Sequence, residues 1–205
     1  MIPTSSSPKR PGWQRGPRWQ PVSYKHYRLS SEITGWLLDQ GSLTQKLIDR
    51  SNGKLRVEVL QQRIERARLS EYKALAHYAP LNTRRWAVIR EVVLYGNNTP
   101  WVYARTAIPL STLKGPLRRL HYLGNKPLGG ALFADPTMRR QGLEIAAIHR
   151  HHLPKNAQNL HQSTNTIWGR RSVFFLKDKP LLVCEVFLEN LFKLGSDKNY
   201  GAKLI

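Results

Sequence analysis

Two charged residues stand in apolar runs whose patterning leaves them little solvent. Glu185 lies in KPLLVCEVFLENL (residues 179–191) and Arg90 in RRWAVIREVVLYG (residues 84–96). Read with a strand's alternation, Glu185 shares a side with Leu181, Val183 and Phe187. Leu182, Cys184, Val186 and Leu188 occupy the other side, so both faces of this strand read as buried. A bare carboxylate there costs several kcal/mol or takes up a proton. Arg90 has the same problem beside Trp86, Val88, Val92 and Leu94, and a guanidinium cannot shed its charge. Pattern alone leaves two readings open. In one, Arg90 forms a buried ion pair with Glu185 or with the region of Glu91. In the other, the pair lines a pocket, where Arg90 grips a substrate carboxylate with two parallel hydrogen bonds and Glu185 addresses a hydroxyl.

Other residues carry weaker signals. Arg105, in WVYARTAIP, offers a second anion contact or an exposed position at a sheet edge. Trp168-Gly169-Arg170-Arg171 reads as a turn with solvated arginines, or as a neighbour of the pocket. His149 and His152 are spaced one helical turn apart, with His151 between them, but no cysteine or carboxylate pair completes a metal site. No metal is expected. Dinucleotide, Walker, nucleophile-elbow and Cys-x-x-Cys motifs are absent, and Gly129-Gly130 is too little for a phosphate loop.

These residues need a scaffold. KLRVEVLQQRIE alternates as a strand, and residues 84–110 read as a β-hairpin turning at Gly96-Asn97-Asn98. Residues 167–192 form a second hairpin that turns at Lys177-Asp178-Lys179. Ahead of them, residues 31–53 predict two short helices with Ser31 and Ser42 as N-caps and an Asn52-Gly53 turn. STLKGPLRRLHYLG, KPLGGALF and DPTMRRQGLEIAAIHRHH read as helical, and LPKNAQNLHQSTNT as a loop. Strands grouped with strands and helices with helices predict an α+β fold with an antiparallel β-sheet.

Composition sets the partner class. The chain has 205 residues, with 33 Lys and Arg against 13 Asp and Glu, a formal charge of +20. Such a field attracts polyanions, acidic membrane surfaces and small anions alike. Residues 1–24 hold five prolines, two glycines and no acidic residue, and read as a flexible basic tail. A plain disordered, solubilising extension is one reading; the other notes Trp13, Trp19, Tyr24 and Tyr27 among the charges, a mix suited to contact with nucleic acid or with the headgroups of an anionic membrane. Residues 196–205 read as a C-terminal tail. No apolar run is long enough to cross a bilayer, no signal-peptide core stands near the start, and the one cysteine excludes an internal disulfide. A cytoplasmic monomer is expected.

Four stretches, in order, resemble the chorismate pyruvate-lyase family of bacterial ubiquinone biosynthesis. They are WLLDQGSLTQKL (36–47), REVVLYGNNTPWVYARTAIPLSTLKGP (90–116), LGNKPLGGALF (123–133) and WGRRSVFFLKDKPLLVCEVFL (168–188). The resemblance implies a single α+β domain over residues 25–195, an antiparallel β-sheet with helices covering an internal ligand pocket, and conversion of chorismate to 4-hydroxybenzoate and pyruvate there without a cofactor. It assigns Arg90 to the ring carboxylate and Glu185 to the para hydroxyl, as catalytic and substrate-binding residues, with Leu43 and Leu128 lining the ligand. The basic tail and the longer segment 149–166 depart from the family's usual form. Two other classes compete. A non-enzymatic aromatic-acid sensor of similar fold would need a DNA-reading helix-turn-helix, which residues 1–30 are too short and proline-rich to supply. Binding of nucleic acid would need an exposed aromatic-basic stripe, where this pattern shows buried charges; no nucleic acid partner is expected.

Overall fold

Two tight turns set the register of the sheet. Asn97 and Asn98 (φ 50° and 63°) join β3 (Trp86–Gly96) to β4 (Thr99–Pro109). Lys177 and Asp178 (φ 47° and 61°) join β6 (Ile167–Leu176) to β7 (Lys179–Phe187). Left-handed φ at both central residues matches the twist of the flanking strands, as two-residue hairpins require. The computed structural model describes residues 16–22, 29–80 and 85–193.

The remaining strands are β1 (Gln20–Pro21), β2 (Leu55–Arg66) and β5 (Arg139–Ile148). All seven form one sheet in the order β1-β5-β6-β7-β4-β3-β2, with every neighbouring pair antiparallel. The helices are α1 (Ser31–Leu37), α2 (Leu43–Arg50), α3 (Leu69–Ala76), α4 (Leu128–Phe133) and α5 (Asn190–Lys193). Three 3-10 segments, Gly115–Tyr122, Arg150–His152 and Lys155–Leu160, complete the described chain. The α+β architecture is as expected. Among the described residues no helix is long and apolar enough to cross a membrane.

Both faces of the sheet are covered, which is why β7 is apolar on both sides. On one face α1 and α2 bury Trp36, Leu37, Leu43 and Leu47 against Val57, Val92 and Leu94. Leu117 and Leu120 of the first 3-10 segment and Leu132 of α4 pack beside them on Val88, Ile108, Phe174 and Leu181. On the opposite face Leu75 of α3 meets Ile89, Ala107, Phe175 and Leu182. There Leu153 and Ala157 pack on Tyr103, Ile148 and Val186.

Several local expectations change. Ser30, not Ser31, caps α1, its side chain accepting from the Ile33 N–H. Ser42 caps α2 as predicted. The stretch read as a helix around residue 145 is strand β5, and His151 and His152 lie in a 3-10 turn that His149 precedes as its extended N-cap. The cause is local: Gly142 sits at φ 63° and the β5–β6 register shifts between Gln141 and Glu144. That bulge breaks the period of two on which a strand is recognised. Helix α3 and the 3-10 segment Lys155–Leu160 lie in stretches read without helix. Within the N-terminal stretch read as a tail, Gln20–Pro21 pair with β5 and Trp19 stacks over Arg171 at 4.9 Å. Residues 1–15 and the C-terminal tail lie outside the described residues.

Arg105 is not an edge residue, and it lies away from the cavity under α2 and α4. Strand β4 lies inside the sheet, and Arg105 points to the face away from α2, 6% exposed. Its Nε donates to Glu71 Oε1 and its Nη1 to Glu91 Oε1, both at 2.6 Å. Gln61 donates to the other Glu91 oxygen at 2.6 Å, and the Arg68 backbone N–H to Glu71 at 2.8 Å. Arg171 on the same face pairs with Glu144 at 2.7 Å. Arg105→Met should therefore lower unfolding free energy by about 3–5 kcal/mol, because two buried carboxylates lose their cation. Denaturant titration measures this. Adding Glu71→Gln and Glu91→Gln to the same protein should recover most of the loss, and ligand affinity on the other face should hold throughout.

Candidate active site

The cross-strand register aligns the polar residues of the α2 face. Arg170 of β6 is directly opposite Glu185 of β7, which is opposite Ala104 of β4 and, through it, Val92 of β3. One step along the strands the row reads Ser172, Val183, Thr106 and Arg90. Residues paired across antiparallel strands share a face, so Arg90, Arg170 and Glu185 all look toward the helices. A partly enclosed cavity, open at a mouth, lies between them and the covering segments. Its apolar wall includes Leu43, Val57, Leu94, Leu128, Leu132 and Phe133. The charged groups on its wall are Arg90, Arg140, Arg170 and Glu185.

Arg90 and Glu185 share this cavity but do not pair. Glu185 Oε2 accepts from Arg170 Nε at 2.5 Å. Arg170 is 1% exposed, and its Nη1 donates to the carbonyls of Trp36 (2.9 Å) and Asp39 (2.7 Å). The ion pair thus ties β6 and β7 to the end of α1 and the loop after it. This overturns the reading of Trp168-Gly169-Arg170-Arg171 as a turn with solvated arginines: both arginines are interior to β6, one on each face. Glu185 Oε1 has no donor among the described residues, and Glu185 lines the cavity.

Arg90 is 3% exposed and has only neutral acceptors. Its Nη1 donates to Gln62 Oε1 at 3.1 Å, and its Nη2 to the carbonyls of Gly124 (2.8 Å) and Lys126 (3.2 Å). Gln62 in turn donates to the His121 carbonyl at 2.7 Å. The segment leading into α4 is therefore pinned over the cavity by the same guanidinium that lines it. Burial pushes the Arg90 guanidinium below its ordinary pKa, with no neighbouring carboxylate to offset the cost.

Leu43 and Leu128 are the first residues of α2 and α4, positions whose backbone N–H groups have no partner within their own helix. The two helices meet closely. A Cβ on Gly129 would lie 2.3 Å from Thr44 Oγ1, so the glycine serves the approach of α4 to α2. That is its physical use in a stretch too weak to read as a phosphate loop.

Arg140 is the cavity residue that sequence reasoning missed. It belongs to the strand read as a helix, so its register opposite Phe174 was hidden by the Gly142 bulge. Its Nε donates to Ser172 Oγ at 3.0 Å and its Nη1 to the Asp39 carbonyl at 2.9 Å. Desolvation, and then the charge of Arg170, push its pKa down to about 10. Cys184 lies on the opposite face, and desolvation pushes its thiol up to about 12, which removes it as a nucleophile at neutral pH.

A partly enclosed, largely apolar cavity with guanidinium groups at separate points and one oriented carboxylate suits a small aromatic acid. A family model described as chorismate lyase matches residues 14–195. The chain belongs to the chorismate lyase family. A relative from Psychromonas ingrahamii, described as a probable chorismate pyruvate-lyase, is 39% identical over 168 residues, covering 78% of this chain and 83% of that protein. One from Methylococcus capsulatus with the same description is 37% identical, covering 76% of this chain and 94% of that protein. Among solved structures, the effector domain of PhnF from Mycobacterium smegmatis superposes with a TM-score of 0.52 at 12% identity, covering 75% of this chain and 91% of that one. At that identity the likeness concerns the fold alone. The four residues assigned through the chorismate lyase resemblance, Leu43, Arg90, Leu128 and Glu185, all line the cavity.

Proposed function

We propose that this protein is a chorismate pyruvate-lyase, converting chorismate to 4-hydroxybenzoate and pyruvate, with the product serving ubiquinone biosynthesis as the family implies. The observation that carries the reading is the cavity wall of a family member: Arg90 without a carboxylate partner, Glu185 oriented by Arg170, and an apolar enclosure between them. Arg90 binds the ring carboxylate and fixes the ring in one orientation. Glu185 Oε1 meets the hydroxyl at the carbon that loses its hydrogen. As that C–H bond breaks, its electron pair becomes the last ring double bond and the enol-ether C–O bond cleaves. The departing enolpyruvate takes a proton at its methylene carbon and becomes pyruvate. Glu185 assists the movement of the ring proton, Arg170 holds the carboxylate in place, and Leu43 and Leu128 exclude water. Aromatisation supplies the driving force.

We assign the protein to the cytoplasm as a monomer, with the basic N-terminal stretch making peripheral contact with anionic membrane. Purified protein mixed with chorismate should generate 4-hydroxybenzoate absorbance and pyruvate in equal amounts. Tight binding of 4-hydroxybenzoate without turnover would replace the enzyme with a sensor. Salt-sensitive binding of polyanions with no response to either ligand would point to nucleic acid instead.

A further inference from the structure

The buried and half-buried arginines of the sheet divide into two kinds. Arg105, Arg170 and Arg171 each have a carboxylate within 2.7 Å, namely Glu71, Glu185 and Glu144. Arg90 and Arg140 have none within salt-bridge distance among the described residues, and both line the cavity. The cavity wall therefore carries three guanidinium groups against one carboxylate, an excess of two positive charges. A desolvated cation with only neutral acceptors is costly to keep unless an anion comes to it.

The two unpaired arginines stand at opposite ends. Strands β5 and β3 are separated by β6, β7 and β4, four spacings or about 19 Å between backbones. Arg140 bonds to Ser172 of β6, which brings its charge one spacing inward and leaves about 14 Å to β3. Glu185, on β7, lies two spacings from both β5 and β3, and one spacing from the strand of Ser172, to which Arg140 bonds.

We infer that Arg140 forms a second anion subsite, which takes the carboxylate of the side chain leaving the ring while Arg90 takes the carboxylate that stays. The inference rests on the proposed lyase reaction. Chorismate is a dianion whose enolpyruvyl group is attached next to the hydroxyl-bearing carbon. A ligand with its ring carboxylate on Arg90 and that hydroxyl on Glu185 directs the side-chain carboxylate toward β5, where Arg140 stands. Arg140 then holds the leaving group by its charge as the C–O bond breaks, and has no contact with 4-hydroxybenzoate, which lacks that carboxylate.

The test compares ligands with one and two carboxylates. Arg140→Gln should lower kcat/KM for chorismate by about 100-fold, as loss of a buried charge contact does, and change 4-hydroxybenzoate affinity by less than about threefold. Arg140→Lys should restore part of the loss. Independently of turnover, meta-isopropoxybenzoate is compared with its counterpart in which one methyl is a carboxylate. The unaltered protein should bind the dicarboxylate at least about tenfold more tightly, and Arg140→Gln should abolish that preference. Equal binding of the two by the unaltered protein overturns the subsite, and so does a preference that survives in Arg140→Gln. A parallel loss of chorismate turnover and 4-hydroxybenzoate affinity would make Arg140 a support for the loop at Asp39 instead. Absence of chorismate turnover in the unaltered protein, with the dicarboxylate preference intact, would overturn the proposed reaction and leave the subsite standing. Should Arg140→Gln fail to fold, the preference in the unaltered protein and in Arg140→Lys still decides.

Discussion

Arg90→Ala should weaken 4-hydroxybenzoate binding by about 100- to 1,000-fold and reduce kcat/KM for chorismate at least as much. The guanidinium is nearly fully buried, has no carboxylate of its own, and sits in an apolar wall where a ligand carboxylate meets little water. In that setting a bidentate contact is worth far more than at the surface. The same substitution removes donors from the carbonyls of Gly124 and Lys126 and from Gln62 Oε1, so stability should fall by about 1–3 kcal/mol. Titration by intrinsic fluorescence gives the affinity, and thermal unfolding the stability. Arg90→Lys separates the two: it keeps a charge at the site but not the fork, and should recover less binding than stability. Unchanged affinity for 4-hydroxybenzoate in Arg90→Ala would remove the carboxylate contact from the mechanism.

Glu185→Gln should lower kcat by about 100- to 10,000-fold if the carboxylate moves a proton, with a smaller effect on product affinity because the amide still accepts a hydrogen bond from the hydroxyl. The ion pair complicates this variant in a useful way. Glu185 is the counter-ion of Arg170, and removing one partner of a buried pair costs about 3–5 kcal/mol of stability. Combining Glu185→Gln with Arg170→Met takes both charges out of the interior and should recover a good part of that stability. If turnover stays low in the double variant, Glu185 acts on the substrate. If turnover returns with stability, its role is to hold Arg170, and through Arg170 the carbonyls of Trp36 and Asp39. Single-turnover kinetics of both variants gives the answer, since chemistry is then read apart from product release.

Much of the scaffold was legible because hairpins are local. Alternating apolar runs bracket Asn97-Asn98 and Lys177-Asp178, and turn chemistry of that kind sets strand pairing over a few residues. Strand β5 was not legible, because Gly142 inserts a bulge that disrupts the alternation before it can be counted. Helix α3 was missed for a different reason: its eight residues owe their helical state to docking Leu75 on the sheet and to Glu71 accepting from the Arg68 N–H.

The site divides along the same line. Sequence by itself determined that Glu185 and Arg90 are buried charges in need of partners, since alternation reports which face a residue takes, and the ordered stretches that place the chain in its family. Who the partners are was decided only by tertiary structure. Glu185 met Arg170, which lies across one strand pair but 15 residues away in the chain. Arg90 met carbonyls of the covering segment, and Arg105 met Glu71 on the far face. Burial is a property of a residue's own pattern, whereas an ion pair depends on register between distant strands, and register forms only when the sheet does.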